Sequence, residues 1–522
     1  MIRYPIGIQT FSEIRKRNCL YVDKTQYVYE VANDLKYIFL SRPRRFGKSL
    51  LVSTFDSYFR GKKELFKGLD IENLEQDWTE YPVLHFDLSD IKLGTTEQFE
   101  ININATLASM EENYGVITST DRDVSTRFRL LVENICKKTG KQVVVLIDEY
   151  DSPLLTVLHD PERLDAMRTA LQSFFSPLKK LDPYLRFVFI TGITKFSQLS
   201  IFSQLNNLSN ITMVPHYSTI VGFTQEELEK NFKDGIQGIA ESNQISYQEA
   251  LSKLKVLYDG YHFSRNSEGV YNPFSVLRAM NTKQLDNFWF ETGTPSYLIK
   301  TLRSYDTFIP ELEECKAFSS DFDAPTEAMT NVLPLLYQSG YLTIKDYNPY
   351  TTEYTLGFPN TEVKVGLLHS LIPYYVSKEN TKASSALGNM WLALMHDDLD
   401  GMLHTARSFF ASIPYQEGTL KDMKTSEGHF TAMLYVMFSL LSNFCYSQVR
   451  TAEGRMDILL KTPTTIYVME LKMDGSVDDA LAQIDDKGYL IPYESDGRRL
   501  VKAGISFSSK ERTIKEWKIV EE

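Results

Sequence analysis

The chain has 522 residues, which at about 150 residues per domain predicts three or four domains. Its composition, 43% hydrophobic and 12% aromatic, excludes large-scale disorder, and its net charge of −12 excludes a uniformly basic nucleic-acid coat. The four cysteines are far apart and no run of about 18 apolar residues occurs, so we expect a cytoplasmic protein without a disulfide framework or a membrane span.

The first 215 residues alternate helical and strand patterns, which is typical of an α/β domain. Asp23 is expected to cap a helix over 24–33, and a second helix is expected over 49–59. Apolar runs rich in β-branched residues indicate strands buried in a parallel sheet. The predicted strands are Tyr37–Ser41, Val83–Leu88, Lys141–Asp148 and Leu185–Thr191.

Residues 216–384 form a region of mainly helical pattern. Thr224 and Glu227 have the spacing of a capping box at the start of a helix. The turn-rich segment YDGYHF, 258–263, interrupts the helices. A helix that ends near Gly340 is followed by two alternating strands, an order that indicates a winged-helix-like unit.

Residues 385–522 have the element order αβββαβ. The predicted elements are a helix at 430–441, strands at 444–450, 455–461 and 465–473, a helix at 477–490 and a strand at 500–506.

A phosphate-binding loop is indicated at 42–49, RPRRFGKS, which follows a predicted strand and opens a helix. This is the position of a Walker A loop, with Arg42 where the first glycine is usual. Backbone N–H groups at the helix N-terminus would face the phosphates, and Gly47 would allow close approach. Lys48 would reach the β- and γ-phosphates, and Ser49 would ligate Mg²⁺.

The remaining loop residues are candidates with an open alternative. Arg44, Arg45 and Phe46 are counted among the cofactor-binding residues, because at least one arginine could contact a triphosphate. Equally, Arg42, Arg44 and Arg45 could be surface charges, and a GKS tripeptide alone often occurs by chance.

An apolar strand that ends in Asp148 and Glu149 is a Walker B pattern, with Asp148 in the Mg²⁺ shell and Glu149 polarising the attacking water. Thr191, at the end of the next strand, could sense the γ-phosphate, and Lys195 is a weaker candidate. A strand ending in two acids is also often a solvated strand end. In this order, the motifs favour ATP binding and hydrolysis, with a structural or switching nucleotide as the alternative.

These segments, together with IGIQTFSEIRKRNCLYVDKT and FITGITKFSQLSIFSQLNNLSNIT, resemble the AAA-ATPase-like family of prokaryotic P-loop proteins over about the first 210 residues. In that family the loop begins RPRRFGKS, so Arg42 follows its pattern. The resemblance implies the Walker roles for Lys48, Ser49, Asp148 and Glu149. YDGYHF also resembles a family feature, and we expect its tyrosines to be packing or turn residues.

Two acids and a lysine form a second constellation. Asp457 lies in GRMDILL, and Glu470 and Lys472 lie in YVMELKM on the next strand. If the strands pair through a tight turn, Asp457 is expected beside Val468 or Met469. The three side chains could bind Mg²⁺ and activate a water for phosphodiester cleavage, or they could form a solvated salt-bridge hairpin.

Two further residues could complete this site. Glu427, at the start of the preceding helix, could join the metal shell, and Gln483, on the following helix, could orient the water or contact the phosphate backbone. His429 is expected to be a surface residue.

The segment over about 400–510 resembles the PD-(D/E)xK nuclease superfamily. The positions that match its motif are Asp457, Glu470 and Lys472, followed less critically by Gln483 and Tyr489. Members of this superfamily can lose activity and keep the fold, so an inactive nuclease fold stays an alternative.

The predicted fold is an α/β multidomain chain with a P-loop NTPase parallel sheet (1–215), a helical and winged-helix-like middle region (216–384) and a restriction-endonuclease-like αβββαβ domain (385–522). The expected activity is ATP-dependent processing of nucleic acid, with DNA as the expected substrate, using ATP and Mg²⁺. The alternative is a nucleotide-dependent switch that recruits a protein partner. A homo-oligomer is also open.

Overall fold

The computed structural model describes residues 2–89, 94–118, 122–158, 160–194, 207–292, 298, 301–302, 307, 309–323, 332–375, 389–390, 392–394, 396–411, 435–437, 445–450, 455–511 and 513–521. The chain divides into two compact units, 1–305 with 316–363 and 306–315 with 364–522. The predicted domain boundaries at 215 and 384 stay predictions. No helix in the described part of the chain is long and apolar enough to span a membrane.

The first unit contains a five-stranded parallel sheet. Its strands are β1 Tyr37–Ser41, β2 Val83–Asp87, β3 Val143–Asp148, β4 Leu185–Gly192 and β5 Ser209–Asn210. They lie in the order β2-β3-β4-β1-β5, and every pairing is parallel. The four predicted strands are confirmed within two residues at each end, because their apolar side chains are buried on both faces.

Helices accompany this sheet. They are α1 Phe11–Lys16, α2 Thr25–Asp34, α3 Lys48–Phe59, α4 Ile71–Leu74, α5 Thr96–Tyr114, α6 Val124–Thr139, α7 Ser152–Thr156, α8 Pro161–Phe175 and α9 Pro177–Lys180. Helices α5, α6 and α8 share a buried apolar core with β2, β3 and β4. The helix predicted from Lys24 begins one residue later, with Lys24 rather than Asp23 at its N-cap, and the Asp23 carboxylate accepts from the Thr25 amide at 2.8 Å.

The rest of the first unit is mainly helical. Its helices are α10 Gln225–Asn231, α11 Lys233–Asn243, α12 Tyr247–Tyr258, α13 Pro273–Thr282, α14 Leu333–Gln338 and α15 Thr361–Tyr375, which continues into the second unit. The predicted capping box of Thr224 and Glu227 is confirmed at the start of α10. Helices α10 to α13 bury their own apolar cluster, which is separate from the core beside the parallel sheet.

The predicted hairpin follows α14. Strands β7 Thr343–Asn348 and β8 Glu353–Gly357 pair antiparallel, and β6 Cys315–Phe318, which was not predicted, adds a third strand beside β8. Gly340 has φ +84 directly after the helix, as expected for a residue that ends a helix in the left-handed region.

The second unit is built on a five-stranded mixed sheet. Its strands are β9 Cys445–Arg450, β10 Arg455–Lys461, β11 Thr465–Met473, β12 Arg499–Ser508 and β13 Thr513–Glu521, and its helices are α16 Leu399–Ala411 and α17 Val477–Asp486. The order is β13-β12-β11-β10-β9, with β11 and β12 parallel and the other pairs antiparallel. Strands β10 and β11 have the predicted bounds, and α17 ends four residues earlier than predicted. The predicted helix at 430–441 lies largely outside the described residues.

Candidate functional site

The loop between β1 and α3 is the segment that was predicted to bind phosphate. Helix α3 begins at Lys48, directly after Gly47, whose φ of +93 suits glycine. The Lys48 amine donates to the carbonyls of Arg42 and Pro43 at 3.0 Å each, so the loop curls around it. The first-turn N–H groups of an α-helix have no partner within the helix, and α3 begins directly at this loop, an arrangement that is suited to phosphate.

The arginines of the loop have different surroundings. Arg42 is buried, and its guanidinium donates to the carbonyls of Thr212 at 2.7 Å and Tyr217 at 3.0 Å. Burial lowers the pKa of Arg42 to about 10. Its role is therefore to bind main-chain carbonyls, whereas Arg44 is exposed at the loop surface and keeps its predicted role as a phosphate contact.

The candidates Arg45 and Phe46 contact protein groups. Arg45 donates to the carbonyl of Trp289 at 2.6 Å. The Phe46 ring is buried edge-on to the rings of Tyr261, at 4.7 Å, and Phe263, at 5.2 Å. The expectation that the tyrosines of YDGYHF are packing residues is thus met at Tyr261. The sequence contained no signal for these partners.

Strand order brings the acidic pair to the loop. Strand β4 lies between β1 and β3, and the carboxyl ends of these parallel strands meet at one edge of the sheet. Asp148 ends β3 and is buried, and its interaction with the Ser49 side chain opposes the rise in its pKa that burial causes. Ser49, in the first turn of α3, and Asp148 are the two residues predicted to ligate Mg²⁺ at this edge of the sheet.

Burial sets the electrostatics of this edge. It lowers the pKa of Lys48 and raises the pKa values of Asp148 and Glu149, because each charged form loses hydration. The charge of Lys48 opposes the rise at both acids, and their charges oppose its fall. The three groups therefore interact as one buried cluster with charges of both signs.

Thr191 is the last residue but one of β4, the strand between β1 and β3. It is buried, and its hydroxyl donates to the Leu40 carbonyl of β1 at 2.8 Å. To sense a γ-phosphate, the hydroxyl would have to exchange this bond, so the predicted role stays a prediction. The weaker candidate Lys195 lies outside the described residues.

Sequence reasoning missed Tyr150 and Asp151, which fasten the end of β4. The buried Asp151 carboxylate accepts from the amides of Ile193, at 3.1 Å, and Thr194, at 2.7 Å. The Tyr150 hydroxyl donates to the Thr194 carbonyl at 3.0 Å. Gly192 is required here, because a Cβ would lie 2.5 Å from Asp151 Oδ1. The second aspartate of DEYD was the available signal, but its partners are 42 or more residues away.

In the second unit, the register of β10 and β11 decides the acidic site. Ile458 pairs with Met469, which brings Asp457 opposite Glu470. The predicted position of Asp457, beside Val468 or Met469, is therefore wrong by two residues or by one. The reason is the turn, where the Thr462 amide donates to the Thr465 carbonyl at 2.8 Å. Asp457 and Glu470 consequently lie on the same face.

A chain of hydrogen bonds connects this face to α17. The Lys472 amine donates to Gln483 Oε1 at 2.7 Å and lies 3.5 Å from Glu470 Oε1. The amide of Gln483 donates to the same glutamate oxygen. The Leu471 amide donates to Asp457 Oδ2 at 2.9 Å. The predicted members Asp457, Glu470, Lys472 and Gln483 are thus brought together.

The donor set fits a divalent cation in part. Burial, and next the charge of Asp457, raises the pKa of Glu470 to about 8. Two carboxylates that oppose each other's ionisation would be stabilised by a shared cation. No group of three His, Cys, Asp or Glu side chains that could hold a metal occurs among the described residues. Glu427 and His429 lie outside these residues, and Tyr489 is buried in the core beside α17.

These geometries define the class of the protein, an α/β P-loop protein with a C-terminal nuclease-like sheet domain. Residues 5–202 match the family described as predicted AAA-ATPase, and residues 425–517 match the PD-(D/E)XK nuclease superfamily. The recognised architecture and the predicted fold class are therefore confirmed.

A full-length relative gives the family. The chain is 32% identical, over 518 residues and 98% of each sequence, to an uncharacterized protein in the vnfD 5′ region of Azotobacter chroococcum mcd 1. The chain belongs to the same family as this protein, and it carries an AAA-ATPase-like domain and a PD-(D/E)XK nuclease superfamily domain.

Solved structures are only distantly similar. The Aeropyrum pernix ORC2 protein, in ADPNP–ADP complexes, is 13% identical with a TM-score of 0.24, over 67% of this chain and 93% of that one. The Aeropyrum pernix ORC1 protein in complex with DNA is 8% identical with a TM-score of 0.23, over 66% and 91%. At these scores neither similarity supports an argument about function.

Proposed function

We propose that the protein binds ATP and Mg²⁺ in its first unit, hydrolyses the ATP, and cleaves nucleic acid, with DNA as the expected substrate, in its second unit. The observation that carries the nucleotide half is the cluster of the buried Lys48 and Asp148 with the half-buried Glu149, beside the N-terminus of α3. A loop of main-chain donors with one lysine and two acids is suited to a triphosphate and its metal.

Each side chain has a proposed task at the nucleotide. Lys48 would exchange its carbonyl partners for the β- and γ-phosphate oxygens. Ser49 and Asp148 would hold Mg²⁺, which when bound supplies positive charge to those oxygens. Glu149 would orient and deprotonate the attacking water, and its raised pKa makes it a stronger base.

The nuclease half rests on the face shared by Asp457, Glu470 and Lys472. The two carboxylates would hold Mg²⁺, with Glu427 as a proposed third ligand. The bound metal supplies a more acidic water and charge stabilisation at the scissile phosphate. Lys472 would offset the charge that develops there, and Gln483 fixes the orientation of both Lys472 and Glu470.

The test is a cleavage assay on labelled single- and double-stranded DNA and RNA with Mg²⁺ or Mn²⁺, with ATP, ADP or no nucleotide. Glu470→Ala and Lys472→Ala should abolish cleavage, whereas Glu516→Ala and Lys515→Ala, on exposed positions of β13, should not. Lys48→Ala should abolish ATP turnover. Identical cleavage and DNA affinity in all three nucleotide conditions would refute control by ATP.

The second candidate is a nucleotide-dependent switch that recruits a protein partner and keeps an inactive nuclease fold. The charge favours it mildly, because most of the net −12 falls in the first 400 residues. Binding to DNA would fall steeply with salt if phosphates are contacted. Absence of both salt-dependent DNA binding and cleavage, with ATP turnover intact, would support the switch.

A further inference from the structure

The first half of the phosphate loop faces the helical part of the same unit. The Arg42 guanidinium lies 4.3 Å from the centre of the Phe263 ring, and the Arg45 guanidinium lies 4.1 Å from the centre of the Phe274 ring. Pro43 packs so closely against Gly340 that a Cβ there would lie 2.6 Å from it. These contacts use residues that the motif alone would assign to the nucleotide.

One peptide group lies between two opposite charges. Arg45 donates to the carbonyl of Phe288 at 3.3 Å, and the amide of the same peptide, the Trp289 N–H, donates to Glu362 Oε1 at 2.9 Å. A guanidinium at the carbonyl and a carboxylate at the amide polarise this peptide in the same sense. Each hydrogen bond therefore strengthens the other.

Glu362 is an unusual residue to find at this position. It is the second residue of α15 and has no exposed surface, and its carboxylate also accepts from the Ser275 hydroxyl at 2.8 Å. Burial raises the pKa of Glu362 to about 7, and the Arg45 charge opposes the rise. The other titratable groups that face it are Tyr258 and Tyr261, which stay neutral near this pH.

We propose that Arg45 is a positioning residue of the nucleotide site, which holds the phosphate loop through the Phe288–Trp289 peptide and couples it to Glu362. Arg45 has a φ of +67, so the loop is strained at this residue and needs an anchor outside itself. The peptide carbonyls and Glu362 provide that anchor. The proposal rests on the proposed nucleotide binding, and it assigns to Arg45 and Glu362 the regulation of that binding.

If the protonation of Glu362 affects the phosphate loop, nucleotide binding at the loop must affect the protonation of Glu362. A triphosphate at the loop brings negative charge beside Arg45 and reduces its stabilisation of the Glu362 carboxylate. Nucleotide binding therefore favours protonated Glu362, and by linkage ATP binds more weakly as the pH rises through 7.

The test follows Trp289 fluorescence against pH in the full chain, with Trp289→Phe to assign the signal. Without nucleotide, the wild type should titrate with a midpoint near 7. Arg45→Met should move the midpoint to higher pH, and Glu362→Gln should remove the titration. Arg17→Met and Glu226→Gln, on exposed residues of the same unit, should leave it unchanged.

ATP affinity is then measured between pH 6 and 8. Relative to Glu362→Gln, the ATP affinity of the wild type should fall about threefold from pH 6 to pH 8. This is the factor expected if bound ATP shifts the midpoint of the Glu362 titration by about half a pH unit. A midpoint that Arg45→Met does not move, or a titration that survives Glu362→Gln, overturns the inference. Absence of ATP binding in the wild type overturns the proposed function instead. In that case the titration midpoint of Arg45→Met still shows whether Arg45 is coupled to Glu362.

Discussion

The phosphate loop and the acidic hairpin both place charged side chains at a sheet, but they hold them differently. At the loop, the lysine is bonded to main-chain carbonyls of its own loop, those of Arg42 and Pro43. At the hairpin, Lys472 is bonded to a side chain of a neighbouring helix, Gln483, which is in turn bonded to Glu470. The first arrangement depends on one short segment, whereas the second depends on three elements arriving in register.

This difference predicts that the two sites respond to different kinds of damage. The loop should be sensitive to backbone conformation, and the hairpin to the packing of α17 and to the balance of charge on its face.

The largest effects should come from substituting one charged residue at each site, Lys48 in the phosphate loop and Glu470 in the acidic hairpin. Lys48→Met should lower ATP hydrolysis at least about 100-fold, because it removes the positive charge proposed to lie beside the phosphates. Glu470→Gln should lower nucleic-acid cleavage by a similar factor, because it removes a carboxylate proposed to hold Mg²⁺. Steady-state rates of both reactions are measured in both variants. If Glu470→Gln abolishes ATP hydrolysis as well as cleavage, the two sites act as one and the comparison fails.

Asp151→Asn tests the clamp at the end of β4. The amide would place a donor against the N–H groups of Ile193 or Thr194, so we expect a loss of about 1–3 kcal/mol in the free energy of unfolding. ATP turnover should fall as well, since β4 leads to Thr191. Asp77→Asn, on an exposed residue, is the matched control, and equal stability of the two variants would contradict the clamp.

Substitutions at two glycines distinguish the cost of an unfavourable backbone conformation from the cost of a steric clash. Gly504→Ala would place its Cβ 2.4 Å from the Val477 carbonyl at the start of α17, and should destabilise the second unit by about 1–3 kcal/mol. Gly47→Ala meets nothing within 4 Å but has φ +93, and should cost about 1–2 kcal/mol. Urea unfolding measures both costs, and ATP affinity should fall only in Gly47→Ala.

The smallest effect concerns pH. The pKa of Glu470 in the folded chain, about 8, lies above its ordinary value of 4.5, so its contribution to stability is complete below pH 4.5 and is lost as the pH rises through 8. Without metal, Glu470→Gln should therefore raise the melting temperature by at least about 2 °C at pH 8 and not at pH 4.5. Mg²⁺ should stabilise the wild type at pH 8 and leave the variant unchanged. A wild type that Mg²⁺ does not stabilise would argue against a metal on this face.

Much of the fold was predictable because its signals are local. Strands β1, β10 and β11 have the predicted bounds, since a run of apolar residues between turn residues defines each of them. The segment of β13 alternates apolar and polar residues and could have been predicted as a strand, whereas β5, with two residues, has no such pattern.

The register of the acidic hairpin shows where local reasoning stops. A shift of one residue in the pairing of β10 with β11 changes which of their side chains share a face of the sheet. Nothing in the sequences of the two strands selects one register over the other. The choice is made by the turn, in which Thr462 binds Thr465. The same applies to Asp151 and Arg45, whose partners are main-chain groups distant in sequence.

The sequence by itself determined the phosphate loop, the acidic end of β3 and the D…ExK hairpin, because residue type and spacing within one segment are sufficient for each. Only the tertiary structure decided that Arg42 and Arg45 bind carbonyls, that Asp457 faces Glu470, and that Glu362 lies behind the loop. Those contacts depend on strand order, register and helix packing. They bring together groups that are up to 244 residues apart, a distance over which local sequence patterns carry no information.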